Sequence, residues 1–297
     1  MNKTPIFTGA CTAIVTPYRS NTIDYKKMAE LIEMQYAGGI SAILVCGTTG
    51  ENATQPISEH EELVDFCVKK IAGRMKVIAG VGSNDTMTSI KLATSAKASG
   101  ADGILMVTPY YNKTSQRGLV KHFSAVADNI DIPMILYNVP SRTGIGIAAE
   151  TYKILSKNPN INGIKEASGD FSLFSRTRAI VGDDLFIWSG NDDNTIPMMS
   201  MGAKGVISVA SNIVPKVVAD ICRLCFVNDF KAASEIYFNY SDLFAKLFIE
   251  VNPIPVKTAM NLMGLDVGDL RLPLCEMYPD NLEKLKTSLR DVGIELK

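Results

Sequence analysis

The sequence predicts a (β/α)8 barrel with a C-terminal helical extension. Eight short apolar runs lie between residues 7 and 211 of the 297-residue chain, and segments with apolar residues at helical spacing separate them. The runs are apolar almost throughout instead of alternating with polar residues, which is typical of parallel strands buried on both faces. Eight strand-then-helix units match the barrel in number and spacing. An open doubly wound sheet has the same alternation and remains an alternative at this point.

The predicted strands can be located in chain order. They are FTGACTAIVTP from residue 7, AILVCGTTG from 42, KVIAGVGS from 76, GILMVTPYY from 103, PMILYNVP from 133, INGIKEAS from 161, LFIWSGND from 185 and KGVISVAS from 204. Amphipathic segments between them, such as residues 24–39 and 58–74, are predicted to be helices. Ser58, followed by Glu61 three residues later, predicts a capping box at the start of the second of these helices.

Helical patterns continue after the last predicted strand. They cover about residues 215–227, 230–250 and 281–291, with a proline-bounded piece at 254–263. No Gly/Ser-rich or charged linker precedes them, so a separately tethered unit is not expected. The chain is therefore predicted to divide into a catalytic barrel, residues 1–211, and a helical region packed on that barrel, residues 212–297.

Composition favours a globular protein of enzyme size. Hydrophobic residues make up 46% of the chain, and 30 Lys and Arg against 31 Asp and Glu leave a formal net charge of -1. This balance is not that of a nucleic-acid binder or a polybasic membrane protein. No stretch approaches the ~20 apolar residues needed to span a bilayer, and the first residues, MNKTPIFTGACTAIVTP, lack the apolar core of a signal peptide. We therefore expect a cytoplasmic protein without nucleic-acid or membrane partners.

The six cysteines are predicted to be reduced core residues. They lie at positions 11, 46, 67, 222, 225 and 275, in predicted core segments and without the spacing of a disulfide framework. Cys222 and Cys225 form a CxxC pair, but it lies in the apolar helical run VVADICRLCFV with no second pair or His cluster nearby. Core packing is therefore favoured over metal or redox use.

Polar residues cluster at the carboxyl ends of the predicted strands, where a (β/α)8 barrel has its active site. The set comprises Thr16, Thr48, Thr49, Ser83, Thr108, Tyr110, Tyr111, Tyr137, Asn138, Lys165, Ser189 and Asn191. It contains one amine and several hydroxyls, but no carboxylate cluster, and the whole chain has two histidines. A metal hydrolase or a two-carboxylate glycosidase would need ligands or acids that this set lacks.

Lys165, in the apolar run INGIKEASGD, is the candidate nucleophile. Lysine is rarely fully buried without a partner. A desolvated lysine amine is the more readily deprotonated, because burial disfavours the ammonium, and the free amine can attack a ketone. The resulting Schiff base withdraws electrons and permits carbon-carbon bond formation next to it, while a tyrosine polarised by a threonine hydroxyl could carry the protons. The alternative is an ion pair with Glu166 or Asp170, although neighbouring strand residues point to opposite faces, which weakens Glu166 as a partner.

Five motifs together resemble the dihydrodipicolinate synthase family, from about residue 5 to the C-terminus. They are GTTGE (47–51), PYYNKTSQRGLVKHF (109–123), YNVPSRTG (137–144), GIKEASGD (163–170) and SGNDD (189–193). The resemblance implies a barrel enzyme that condenses pyruvate with L-aspartate 4-semialdehyde through a lysine Schiff base, in lysine and diaminopimelate biosynthesis. It also implies a cytoplasmic homotetramer built from tight dimers, with neither a cofactor nor a metal.

The resemblance also implies roles for individual residues. Lys165 matches the Schiff-base lysine, Tyr137 the general acid and base, and Thr48 the threonine of a proton relay. Tyr111 matches the tyrosine that a neighbouring subunit contributes to that relay. Thr49 matches the residue that binds the pyruvate carboxylate with its hydroxyl and backbone. Arg142 matches the arginine that binds the semialdehyde carboxylate, a role that suits a planar guanidinium. Gly190 and Ile207 match residues that line the pocket, and Ile207 supplies a backbone contact.

This chain departs from the lysine-inhibited members of that family. It keeps the residues that match their inhibitor site at four positions, namely Ala53, His60, Asn84 and Tyr110. Ile57 stands where those members have a second histidine, and Thr88 stands where they have a glutamate. The resemblance therefore implies weak or absent inhibition by lysine.

Three alternative functions can be weighed against features of the sequence. N-acetylneuraminate lyases and 2-keto-3-deoxy acid aldolases share the barrel, the lysine and the tyrosine, but the threonine pair and the arginine of VPSRTG favour the synthase. Residues 144–149 resemble a GxGxxA dinucleotide fingerprint with Glu166 about 20 residues later, yet residues 139–143 separate it from the strand end at Asn138. A non-catalytic binding barrel is disfavoured by the intact set of Lys165, Tyr137 and Thr48.

Overall fold

A closed barrel of eight parallel strands forms the centre of the computed structural model, which describes residues 3–297. In chain order the strands are Gly9–Ala13, Ala42–Val45, Lys76–Gly80, Gly103–Val107, Met134–Asn138, Ile161–Glu166, Phe186–Ser189 and Gly205–Ser208. Each strand pairs with its neighbours in the sequence, and the first pairs with the eighth. The predicted (β/α)8 fold is confirmed, and the open doubly wound sheet is excluded because the sheet closes on itself.

Helices follow the strands around the outside of the barrel. They are Tyr25–Ala37, Ile57–Ile71, Thr86–Ala98, Gln116–Ala127, Ala149–Leu155, Phe171–Val181, Thr195–Ser200 and Pro215–Phe226. A four-residue helix, Pro140–Thr143, also follows the fifth strand, and the two-stranded hairpin of Tyr18–Arg19 and Thr22–Ile23, which was not predicted, follows the first.

Side-chain caps begin several of these helices, but not the one for which a capping box was predicted. The carboxylates of Asp24, Asp85 and Asp170 each accept a hydrogen bond from a backbone N–H three residues later. The helix Ile57–Ile71 instead has Pro56 at its N-cap and makes no side-chain cap bond. The capping-box prediction is wrong because Ser58 already lies within the first helical turn.

Three further helices complete the chain, as predicted: Phe230–Lys246, Ile254–Leu262 and Pro279–Asp291. The helix Pro215–Phe226 packs against the first barrel strand as well as against Phe230–Lys246. It therefore serves as the helix of the eighth strand-helix unit and links the barrel to the C-terminal helices. The division of the chain at residue 211 stays a prediction.

Buried side chains from the strands pack together in the barrel interior. Trp188 is fully buried there and stacks on Phe7, which precedes the first strand, with ring centroids 4.9 Å apart. A Cβ atom at Gly163 would lie 2.6 Å from the Trp188 ring and 2.2 Å from the backbone oxygen of Phe186, so only glycine fits beside the indole. A packed interior leaves the strand ends and their loops to form a binding site.

Five of the six cysteines are buried, which confirms the prediction for those five, and all six are free. Cys275 is exposed, in the irregular segment before Pro279–Asp291, so the prediction of a core position was wrong there. The pair Cys222 and Cys225 lies on the buried face of its helix, and burial raises the pKa of Cys225 to about 11 and that of Cys222 further. Within residues 3–297, no helix is long and apolar enough to cross a membrane.

Candidate active site

Lys165 lies on the sixth strand and points into the barrel mouth. Its Cα is in register with that of Tyr137 on the fifth strand and that of Trp188 on the seventh. The side chain is only 5% exposed, and its Nζ atom lies 4.4 Å from the centre of the Tyr137 ring. The lysine amine and the phenol are therefore neighbours because of strand register, not because of a flexible loop.

The two carboxylates that could have paired with Lys165 are engaged elsewhere. Glu166 points to the opposite face of the strand, where its oxygens accept hydrogen bonds from the Asn138 amide at 2.9 and 3.1 Å and from the Ser168 backbone N–H at 2.7 Å. Burial raises the pKa of Glu166. Asp170 caps a helix by accepting from the Leu173 N–H at 2.8 Å. The interpretation of Lys165 as part of an ordinary ion pair is therefore wrong.

Gly190 provides the space that Lys165 occupies. Its N–H donates to the Glu166 backbone oxygen at 2.7 Å, just after the seventh strand ends. A Cβ atom at this position would lie 2.6 Å from the Ala167 Cβ and 3.2 Å from the Lys165 Cε. Any larger residue would press on the lysine side chain, so the glycine in SGNDD is explained by close approach.

Ile207 lies on the eighth strand, fully buried within the barrel and in register with Cys11. The turn that follows it is held by Asp192, a buried residue that the sequence did not single out. One Asp192 oxygen accepts from the backbone N–H groups of Val209 and Ala210 at 3.0 Å each. Burial raises the pKa of Asp192, and the hydrogen bonds that it accepts only partly offset this rise. The carboxylate thus fixes the backbone at the end of the strand that carries Ile207.

Thr48 and Thr49 lie in the GTTGE turn after the second strand. Thr48 is partly exposed, whereas Thr49 is 2% exposed and its hydroxyl oxygen accepts a hydrogen bond from the Asn252 side-chain amide at 3.0 Å. Two residues later, Glu51 forms a fully buried ion pair with Lys257 at 2.8 Å. The C-terminal region therefore contacts the turn at both Thr49 and Glu51, and neither Asn252 nor Lys257 was recognised from the sequence.

Arg142 extends from the short helix Pro140–Thr143 and is exposed. Its Nη2 atom donates to the backbone oxygen of Asn252 at 3.3 Å. A cavity of about 220 Å³ is lined by Thr48, Tyr137 and Arg142, with Tyr110 also in its wall. The structure thus brings a hydroxyl, a phenol and a guanidinium to one cavity, and Lys165 lies against the Tyr137 ring.

Tyr111 is not brought to this cavity within one chain. It is 91% exposed and has a φ of +67°, a left-handed backbone conformation that is uncommon for a bulky residue. The adjacent Asn112 anchors the segment by donating from its side-chain amide to the Asn84 backbone oxygen at 2.9 Å. The tyrosine side chain therefore projects away from its own barrel.

The described site offers an amine and hydroxyl groups but no metal-binding cluster. Among residues 3–297, no three His, Cys, Asp or Glu side chains lie close enough to hold a metal ion. A buried amine next to a phenol is suited to carbonyl chemistry, because the amine can add to a ketone and the phenol can transfer protons.

The model of the dihydrodipicolinate synthetase family matches residues 6–292. The chain belongs to that family. A curated 4-hydroxy-tetrahydrodipicolinate synthase from Clostridium tetani is 52% identical, over 96% of this chain and 97% of its own length. A crystal structure of dihydrodipicolinate synthase from Aquifex aeolicus is 46% identical, covers 98% of this chain and 100% of its own, and superposes with a TM-score of 0.96.

A third relative in the dihydrodipicolinate synthetase family is a structure from Cyanidioschyzon merolae with lysine bound. It is 39% identical, covers 98% of this chain and 100% of its own, and has a TM-score of 0.94. These matches confirm the family resemblance of the five motifs. They do not favour the alternatives of a neuraminate lyase or a keto-deoxy acid aldolase, since the relatives have the synthase name.

The dinucleotide fingerprint of residues 144–149 is explained by local structure within this family fold. Gly144, with a φ of +69°, ends the helix Pro140–Thr143 and does not follow the strand directly. Glu166, the residue expected to bind a ribose, is buried against Asn138. The geometry therefore does not place a glycine-rich turn at a strand end, as a dinucleotide site requires.

Proposed function

We propose that this protein condenses pyruvate with L-aspartate 4-semialdehyde to give 4-hydroxy-tetrahydrodipicolinate, as a lyase of the class I aldolase type in lysine and diaminopimelate biosynthesis. The observation that carries the proposal is Lys165, a buried amine 4.4 Å from the Tyr137 ring, in a chain 52% identical to a curated synthase over nearly its whole length. No cofactor is required by this chemistry, because the lysine itself supplies the electron-withdrawing iminium.

The reaction begins with attack of the Lys165 amine on the ketone carbon of pyruvate. Loss of water gives an iminium, and removal of a proton from the neighbouring methyl group gives an enamine. The enamine carbon then forms a bond to the aldehyde carbon of the semialdehyde. Finally, the amino group of the semialdehyde replaces the lysine on the former ketone carbon, which closes the ring and releases the free Lys165 amine. Overall one water is lost, together with the proton that the semialdehyde ammonium gives up before its amine attacks, so atoms and charge balance.

Proton transfer is assigned to Tyr137, Thr48 and Tyr111. Tyr137 is next to the amine and can donate a proton to the departing water and accept one from the methyl group. Thr48 lies in the same cavity wall. Tyr111 projects from its own chain, which fits a role in the site of a second subunit. We therefore propose a dimer in which Tyr111 crosses the interface, within a homotetramer made of two such dimers.

The two substrate carboxylates are assigned to different groups. Thr49 would bind the pyruvate carboxylate with its hydroxyl and backbone N–H, since it lies at the buried side of the site. Arg142 would bind the semialdehyde carboxylate, since it is exposed and its guanidinium, which gives one hydrogen bond to the Asn252 backbone oxygen, has further N–H groups for a carboxylate. Gly190 and Ile207 would line the pyruvate pocket.

The substrate assignment is tested by supplying pyruvate with either L-aspartate 4-semialdehyde or N-acetylmannosamine. Pyruvate consumption should accompany only the semialdehyde, with 4-hydroxy-tetrahydrodipicolinate as the product identified by mass spectrometry. Formation of N-acetylneuraminate at a comparable rate would contradict the synthase assignment and favour the lyase. A product from neither acceptor, in protein that still forms the pyruvate Schiff base, would point to a keto-deoxy acid aldolase.

Lysine regulation is proposed to be weak in this chain. The relative from Cyanidioschyzon merolae has lysine bound in its structure. In this chain, the Thr88 hydroxyl donates to Asp85 at 2.6 Å at the start of its helix, so it does not supply the carboxylate of the inhibited members. Two further proposals are a cytoplasmic location and a boundary at residue 211, which cell fractionation and limited proteolysis test respectively.

A further inference from the structure

Asn252 connects the two residues assigned to the substrate carboxylates. It is 5% exposed and lies in the segment between the helices Phe230–Lys246 and Ile254–Leu262. Its side-chain Nδ2 donates to the hydroxyl oxygen of Thr49, 203 positions away, at 3.0 Å. Its backbone oxygen accepts from Arg142, 110 positions away, at 3.3 Å. We infer that Asn252 is a positioning residue that orients the Thr49 hydroxyl toward the pyruvate carboxylate; this inference rests on the proposed function.

The direction of this hydrogen bond determines what Thr49 can do. A threonine hydroxyl has one hydrogen and two lone pairs, whereas an amide NH2 group only donates. Because Asn252 donates to Thr49, the hydroxyl oxygen has one lone pair engaged, and its hydrogen is directed elsewhere. A carboxylate only accepts, so it needs that hydrogen, and the resulting hydrogen bond is charge-assisted. The hydrogen bond from the Asn252 amide therefore leaves the Thr49 hydroxyl hydrogen to be donated to an acidic ligand.

The segment that carries Asn252 is held by contacts of residues on either side of it. Glu250, two residues earlier, accepts hydrogen bonds from the Tyr278 N–H at 3.0 Å and from the Asn281 side chain at 2.9 Å. Lys257, five residues later, pairs with Glu51 in the same turn as Thr49 at 2.8 Å. The segment is thus fixed on both sides of Asn252. The Asn252 amide is therefore held next to Thr49 by the fold itself.

Asn252 contacts Thr49 through its side chain and Arg142 through its backbone. A substitution removes only the contact with Thr49, because the contact with Arg142 uses the backbone oxygen. Loss of a positioned donor should raise the KM for pyruvate and leave the KM for the semialdehyde little changed. A general loosening of the site would instead affect both substrates.

The test measures kcat and both KM values for Asn252→Asp and Asn252→Ala, together with borohydride trapping of the pyruvate Schiff base over a range of pyruvate concentrations. Asn252→Asp keeps the shape of the side chain but places an acceptor next to Thr49, which draws the hydroxyl hydrogen away from the ligand. We expect its pyruvate KM to rise about tenfold or more, as for loss of a charge-assisted hydrogen bond, with a smaller rise for Asn252→Ala. Asn129→Ala is the matched control, since it removes an exposed amide that donates to the Ala125 backbone oxygen and contacts neither Thr49 nor the segment around Asn252.

A Thr49→Val background separates positioning from structural support. If Asn252 acts through the Thr49 hydroxyl, Asn252→Ala should have little further effect on the pyruvate KM once that hydroxyl is absent. The inference is overturned by an unchanged pyruvate KM in Asn252→Asp, by equal rises for both substrates, or by an undiminished effect in the Thr49→Val background. Failure of the unsubstituted protein to trap pyruvate would instead overturn the proposed function.

Discussion

The Nζ atom of Lys165 lies 4.4 Å from the centre of the Tyr137 ring. The two residues occupy paired positions on adjacent barrel strands, so the strand pairing places their backbones side by side. The ring covers the amine on one side, and Gly190 allows the lysine stem to pass on the other. Nucleophile and phenol are thus held together before any substrate binds.

Reduction with borohydride in the presence of pyruvate should add one pyruvyl group per chain, at Lys165. The amine is the one that lies next to the phenol in the barrel mouth, and only an iminium would be reduced to a stable adduct. Peptide mass spectrometry locates the group. Lys165→Ala should show neither adduct nor turnover, while Lys204→Ala, a lysine near the Phe186 ring, should retain both. An adduct at another lysine would contradict the mechanism.

Arg142→Ala should separate the two substrates. The guanidinium is assigned to the semialdehyde carboxylate, so its loss removes a charge-assisted contact and should raise the semialdehyde KM about tenfold to a hundredfold. Pyruvate binding uses other groups, so borohydride trapping should remain efficient. Arg142→Lys should recover only part of the affinity, because an ammonium lacks the planar fork. Normal use of the semialdehyde by Arg142→Ala would remove Arg142 from the site.

Tyr111 should act in the site of a partner chain. Its exposed side chain and left-handed backbone place the phenol outside its own barrel. Lys165→Ala and Tyr111→Phe proteins should each be nearly inactive. In hybrid dimers, one of the two sites has an intact Lys165 together with an intact Tyr111 from the partner, so activity should return on mixing. If subunit exchange is demonstrated and activity stays absent, Tyr111 does not act across the interface.

The buried pair of Lys257 and Glu51 should stabilise the contact between the C-terminal region and the GTTGE turn. Both side chains are almost fully buried at 2.8 Å separation, and the Lys257 amine also donates to backbone oxygens of Thr16 and Asp269. Lys257→Met leaves a buried carboxylate without its cation, which should lower the free energy of unfolding by about 3–5 kcal/mol. Urea unfolding measures this change.

A second substitution provides the control for that pair. Adding Glu51→Gln to Lys257→Met removes the isolated charge, so the double variant should be more stable than Lys257→Met alone. Lys246→Met, which breaks an exposed pair with Asp242, should change the free energy of unfolding by less than about 1 kcal/mol. Equal losses for the buried and exposed pairs would mean that the Lys257 contact is not a stabilising one.

The sequence predicted the barrel because each strand has a local signal, a short run of uniformly apolar residues that needs burial on both faces. Lys165 was recognisable for the same reason, as a charged residue within such a run. Asn252 and Lys257 carry no comparable signal: their partners, Thr49 and Glu51, lie more than 200 positions away, and their contacts exist only after the chain has folded.

The errors have local physical causes. The capping box at Ser58 failed because Pro56 occupies the N-cap and starts the helix earlier. Cys275 was grouped with the cysteines of the predicted core segments, although its surroundings, LPLCEM, form an irregular segment without a periodic pattern to define a buried face. The role assigned to Tyr111 depends on a second subunit, so contacts within one chain do not test it.

Lysine should inhibit this synthase weakly or not at all, because Thr88 stands where inhibited members have a glutamate. The Thr88 hydroxyl and N–H both bind Asp85, at 2.6 and 2.8 Å, so the residue acts as part of a helix start. Replacing a carboxylate partner of an ammonium by a hydroxyl removes a contact of roughly 1.5–3 kcal/mol, or about tenfold to a hundredfold in affinity. Half-inhibition below about a millimolar, a concentration that corresponds to roughly 4 kcal/mol of binding, would contradict this prediction.

The reverse substitution tests the cause. Thr88→Glu should lower the lysine concentration for half-inhibition by up to about a hundredfold, and adding Ile57→His should lower it further if the second imidazole also contacts the ligand. Thr94→Glu is the matched control, because Thr94 is exposed on the same helix and its hydroxyl binds only the Ile90 backbone oxygen. An equal gain in sensitivity from Thr94→Glu would mean that added negative charge, and not a carboxylate at position 88, attracts the lysine. If Thr88→Glu increases inhibition and Thr94→Glu does not, the missing carboxylate at position 88 explains the weak inhibition by lysine that we predict.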